Sequence, residues 1–167
     1  MRCLLLLIAG LAAAPLTAAD WPQFRGPGAN ANANGPVPVH FGPQSNVVWR
    51  AELPLGHSSP VIWGERIFVT GVEQGKLLTV ALDRATGRQL WRQTCPAEKL
   101  EAAHRISSPA APTACTDGER VVVYFGSYGL LAYDFSGKEL WRHPLPAPIL
   151  EFGASSSPIL VGDLVIQ

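Results

Sequence analysis

An all-β fold, a β-propeller of four-stranded antiparallel blades, is what the sequence predicts, and three observations predict it. The stretch VALDRATGRQLWR, Val80 to Arg92, returns as LAYDFSGKELWR, Leu131 to Arg142. A Ser/Pro-type entry precedes each copy and occurs once more near the end, as SSPVIWGERI, AAPTACTDGERV and SSPILVGDLV, which sets Pro60, Pro112 and Pro158 at corresponding points. With 15 Pro and 16 Gly among 167 residues, the chain is too turn-rich for a helical protein, and 47% hydrophobic residues is too apolar for a disordered one. A period of about fifty residues marks a repeat architecture, and four-stranded antiparallel sheets at that spacing are propeller blades.

The elements follow in order. Residues 1–19 carry one Arg, then an apolar run from Leu4 to Ala14 too short to span a bilayer, then Thr17-Ala18-Ala19, the pattern of a signal peptide cleaved before Asp20. No Cys stands at the cleavage point, so an exported, periplasmic or secreted protein without a lipid anchor is expected, with no membrane span after cleavage. Residues 20–45 include GPGANANANGPVPVHFGP, a Gly/Pro/Asn-rich stretch that cannot bury a core and is expected to wrap the disc as an extended arm anchored by Trp21 and Arg25. Residues 46–52, with Val47-Val48-Trp49-Arg50, have the pattern of an outer strand that arrives without the first three. They are expected to close the ring against a blade beyond this sequence, which leaves no free sheet edge.

The first full blade is expected over 56–94, with strands Ser58 to Trp63, Arg66 to Gly71, Leu77 to Asp83 and Gln89 to Gln93, joined by turn-forming residues. The second runs over 107–144, and a partial blade over 155–167. Aligned on their tryptophans, the copies read Ala81-x-Asp83-x-x-x-Gly87-x-x-x-Trp91 and Ala132-x-Asp134-x-x-Gly137-x-x-x-Trp141, the second one residue shorter in the turn. Propellers close with roughly 4 to 8 blades, so the sequence reads as the N-terminal fragment of a longer ring.

Chemistry-bearing residues are sparse. Thirteen basic side chains balance thirteen acidic ones, which argues against nucleic acid as a partner, because phosphate binding needs a basic surplus on one face. Cys95 and Cys115 have no CxxC spacing; strand order puts them at opposite ends of their blades, and both are expected to be free thiols. His40, His57, His104 and His143 lack metal-ligand spacing, although His57 and His104 each precede a blade entry and are expected to share a rim. The serines at 58–59, 107–108 and 155–157 come without GxSxG or a His-Asp partner pattern, and repetition itself argues for one entry turn per blade.

The AxDxxxGxxxW pattern resembles the tryptophan-docking motif of pyrroloquinoline-quinone (PQQ) type propeller repeats, and the likeness covers Asp20 to Gln167. DWPQFRGPGANANANG also resembles the lead-in of exported bacterial members. The resemblance implies that the Asp and Gly shape a turn while the Trp lies flat between blades, burying about 200 Å² of ring, worth several kcal/mol at ~25 cal/mol/Å². Ala81, Asp83, Gly87, Trp91, Ala132, Asp134, Gly137, Trp141, Trp49, Pro60, Pro112 and Pro158 are therefore expected to be structural. PQQ-dependent dehydrogenases of the superfamily hold the quinone over calcium, many with a vicinal Cys pair that this sequence lacks. A non-catalytic scaffold with no cofactor or metal, binding a protein or other ligand at a propeller face, is the expected function. The alternative is a periplasmic PQQ- and calcium-dependent alcohol or sugar dehydrogenase with its active site in further blades.

Overall fold

The structure, a computed structural model, describes residues 19–33 and 38–167. The signal-peptide reading thus falls outside the described residues but for Ala19. Ten strands form two four-stranded sheets and a hairpin, and no described segment is an α-helix; Pro27–Ala29 makes one 3₁₀ turn. No described helix is long and apolar enough to cross a membrane.

The first blade has strands β1 (Val61–Trp63), β2 (Arg66–Glu73), β3 (Lys76–Asp83) and β4 (Gln89–Thr94) in sequential antiparallel order. The second repeats this with β5 (Cys115–Thr116), β6 (Arg120–Phe125), β7 (Gly129–Asp134) and β8 (Glu139–Pro144). A hairpin, β9 (Ile159–Val161) and β10 (Leu164–Ile166), lies beyond, with β5 beside both β1 and β9. β2, β3, β6 and β7 are near-continuous apolar runs because both of their faces are covered. One core lies between the blades, where Phe68, Leu77 and Ala81 meet Val121, Val123, Leu131 and Tyr133. The outer faces carry separate clusters, one sharing Trp49 and Ile62, the other reaching Leu160 and Val165.

The repeat motif has a direct structural meaning. Ala81 pairs with Trp91 and Ala132 with Trp141, each followed at once by a register shift. A small residue opposite each indole leaves room for it, and the bulge adds local twist where the strand turns.

Each entry strand is shorter than its sequence pattern. β1 begins at Val61 and not Ser58, because Ser58 Oγ accepts the Thr70 N–H (3.0 Å) and donates to the Thr70 carbonyl (3.1 Å), standing in for the backbone ladder. Pro60 follows with no N–H to give. The registers Val61↔Phe68 and Cys115↔Val122 also correct the equivalence of the prolines: Ala114 corresponds to Pro60, while Pro112 corresponds to Ser58. The positions that do correspond are Ser59, Thr113 and Ser157. The Ser59 N–H donates to Thr113 Oγ1 and the Thr113 N–H to Ser157 Oγ, each at 2.9 Å, so hydroxyls link successive inner strands.

The N-terminal arm crosses these inner strands. Trp21 pairs antiparallel with Ile62 (2.8 and 2.9 Å), the Pro22 carbonyl accepts the Thr116 N–H (2.9 Å), and Asp20 Oδ1 accepts the Gly64 N–H (2.7 Å). Ile62 and Thr116 are equivalent positions, so one short segment covers the free inner edge of two consecutive blades. Arg25 is exposed, with φ 63°.

Candidate functional site

Strand direction sorts the loops onto two ends. The turns after β1, β3, β5 and β7 lie at one end, with the arm; the turns after β2 and β6 and the connections between blades lie at the other.

The repeat residues occupy the first end, and their polar groups are committed there. Asp83 Oδ1 accepts the Thr86 hydroxyl (2.7 Å) and N–H (2.9 Å). Asp134 Oδ1 accepts the Ser136 hydroxyl (2.6 Å) and the N–H groups of Ser136 and Lys138 (2.8 and 2.9 Å). The hydroxyl bonds, from Thr86 and from Ser136, are the main reason that both carboxyls are held below the usual range. Trp49 Nε1 donates to the Arg84 carbonyl (2.8 Å) with its ring over Gly87, and Trp91 Nε1 donates to the Phe135 carbonyl (3.0 Å) with its ring over Gly137. Each indole thus seats on the turn of a sheet it does not belong to, Trp91 reaching from β4 to the second blade. Gln93 Nε2 adds a bond to the Gly137 carbonyl (2.7 Å). Residues 46–52 pair as no strand among the described residues; Trp49 and Ala51 pack against the first blade as side chains alone. Trp141 packs on the outer cluster of the second blade, Pro112 and Pro158 are buried, and Pro60 is exposed.

The opposite end holds a cleft of about 810 Å³. Its walls come from three segments: Pro96, Ala97 and Leu100 in the connection after β4, Tyr128 in the turn after β6, and Ile149 and Leu150 in the connection after β8. A volume of this size with a mainly apolar lining suits a small ligand or a few side chains of a partner.

One ionisable group on the wall stands apart. The Glu101 N–H donates to Ser127 Oγ (2.9 Å), and Glu101 Oε2 accepts the Ala154 N–H (3.1 Å), which ties all three segments together. Its carboxylate lies over Gly126, where a Cβ would come within 2.5 Å of both oxygens. Oε1 is buried with no hydrogen-bond partner. Burial raises the Glu101 carboxyl above its ordinary value, and the Ala154 N–H offsets this only in part. Tyr124 nearby is raised by burial and by the Glu101 charge.

His57 and His104 lie on connections at this end. His104 rests on the Phe152 ring, centroids 5.0 Å apart. No three His, Cys, Asp or Glu come together to share a metal ion among the described residues. Cys95 and Cys115 are free and buried, and burial pushes their thiols up to about 11 and about 12. Since the thiolate is the nucleophile, both should resist a soluble disulfide reagent at pH 8 in the folded protein and react within seconds in denaturant. Fast labelling of either one without denaturant would contradict the burial described here.

Sequence reasoning missed Glu101 and the cleft. The available signal was the charged stretch EKLEAAHR inside a connection, 95–114, far longer than the turns within a blade, since long loops on a rigid scaffold commonly carry function.

The family model described as outer membrane protein assembly factor BamB matches residues 34–167. Among solved structures, BamB from Moraxella catarrhalis is similar with a TM-score of 0.49 at 16% identity, over 72% of this chain and 36% of that one. The chain therefore spans little more than a third of that protein's length. A search of curated proteins finds no match.

Proposed function

The chain belongs to the PQQ-like propeller family described as outer membrane protein assembly factor BamB, and from that premise we propose that it is exported to the periplasm and works as a non-catalytic scaffold whose partner is a protein. The family description supports the assembly of outer-membrane proteins as the process in which we place that partner.

The observation that carries this reading is the asymmetry of the two ends. At one end the turns spend their polar groups on themselves and on the seated tryptophans, and the arm covers the inner edges. At the other, the connections leave an apolar cleft and exposed hydrophobic side chains, with Ile106 at 64% and Ile149 at 102% relative exposure. Exposed apolar side chains beside an apolar cleft support reading this end as an interaction face. Among the described residues no three acidic, His or Cys side chains come together, and Asp83 and Asp134 are committed to their own turns. No chemistry through PQQ with calcium is assigned to them.

A photo-crosslinking residue placed at position 149 in the living cell tests the reading, with position 86 at the other end as the control. A discrete protein adduct from 149 and none from 86 is the expected result. Stoichiometric binding of PQQ with calcium, accompanied by dye-linked alcohol oxidation, would overturn it in favour of a quinoprotein dehydrogenase.

A further inference from the structure

We propose that the cleft takes an extended segment of the partner polypeptide that sets an aliphatic side chain against Ala97, Leu100 and Ile149 and an adjacent arginine or lysine against Glu101. This rests on the scaffold reading above and specifies what that scaffold recognises.

Three observations converge on a cationic, partly apolar occupant. The first is the unmatched acceptor. Of the three buried side-chain oxygens without a partner among the described residues, Thr79 Oγ1 and Tyr133 OH belong to residues packed between the blades, and Glu101 Oε1 alone belongs to a residue lining the cleft. A partly buried carboxylate with one oxygen unpaired and one donor on the other is only partly compensated, and an arriving cation offsets that cost.

The second is the charge balance of the wall, whose lining holds Glu98 and Glu101 against a single Lys99. That excess favours a basic group and disfavours an acidic one. The third is extent. Beyond the lining, Phe152 is about half exposed and Ile106 more so, and both lie on the same two connections as the cleft. An occupant that covers them as well as the cleft is longer than a small molecule, and an extended peptide with alternating side chains meets that shape.

The test uses two blocked hexapeptides that differ at one position, Leu-Arg against Leu-citrulline, which keeps the shape of the arginine and removes its charge. Each is titrated into the isotope-labelled protein while the amides of Glu101, Ser127 and Ala154 are followed by NMR. The Leu-Arg peptide should shift these amides and bind at least tenfold more tightly than its citrulline twin. Glu101→Gln should erase that difference. Ile149→Ser, at a side chain too exposed to affect folding, should weaken both peptides.

Equal binding of the two peptides, or no shift at the cleft amides with either, overturns the proposal. So does a monomer–dimer change in Ile149→Ser, which would make a second copy of the chain the occupant. The crosslink from position 149 separates the two levels. If it persists undiminished in Glu101→Gln, the scaffold stands and its recognition of a cation fails. If it never forms, the scaffold itself fails.

Discussion

Replacing Trp91 by alanine should destabilise the protein by about 3 kcal/mol, read from the shift in a urea denaturation midpoint at unchanged slope. The indole meets the rings of Phe68 and Tyr133, each with centroids 5.9 Å away, so its loss opens a cavity that draws on both blades. Trp91→Phe should recover most of the apolar contact and still lose about 1 kcal/mol, because the Phe135 carbonyl would then lack the Nε1–H that it accepts. Trp141→Ala should cost less than half as much, since no turn of a following sheet lies against that indole among the described residues. Equal losses at 91 and 141 would mean that the ring matters within its own sheet and not as a joint between sheets.

Gly137→Ala should cost about 2–4 kcal/mol, by two separable routes. Its φ of 90° is one that a residue with a Cβ rarely adopts, and the added methyl would come within 2.8 Å of the Trp91 ring. Gly75→Ala isolates the first route, because φ there is 73° and nothing lies within 4 Å of the new Cβ; about 1 kcal/mol is expected. Combining Gly137→Ala with Trp91→Ala should cost clearly less than the sum, since the clash disappears with the ring. Strict additivity would show that the glycine serves the turn alone.

These two positions also show what a sequence can reveal of such a fold. Ala-Trp cross-strand pairs, Asp-shaped turns and glycines at positive φ are set by neighbours a few residues away, so they repeat visibly and place β2 to β4 and β6 to β8 closely. The entry strands were harder to read, because Ser58 replaces a backbone ladder with its side chain and so removes the alternation that marks a strand. Pro112 resembles a partner of Pro60 in the sequence, while the correspondence in space runs through the hydroxyls of Ser59, Thr113 and Ser157. The cleft left no periodic trace at all. Glu101 acquires its character from Ser127 and Ala154, residues on two other segments, and from the absence of a side chain at Gly126. A property assembled from three distant stretches is legible only once they are brought together.

The arm has a consequence in time as well as in space. Trp21 holds Ile62 in the first strand of one blade and Pro22 holds Thr116 in the first strand of the next, so the bridge as a whole is complete only when the entire first blade and the start of the second have been made. Closing so long a loop costs entropy that nearby contacts must already have offset, which places this step late. The residues of the arm are translated before either blade, yet they settle fully only after the first is made and the second begun. In refolding experiments, the amides of Ile62 and Thr116 should therefore gain protection from exchange after those of β2, β3, β6 and β7.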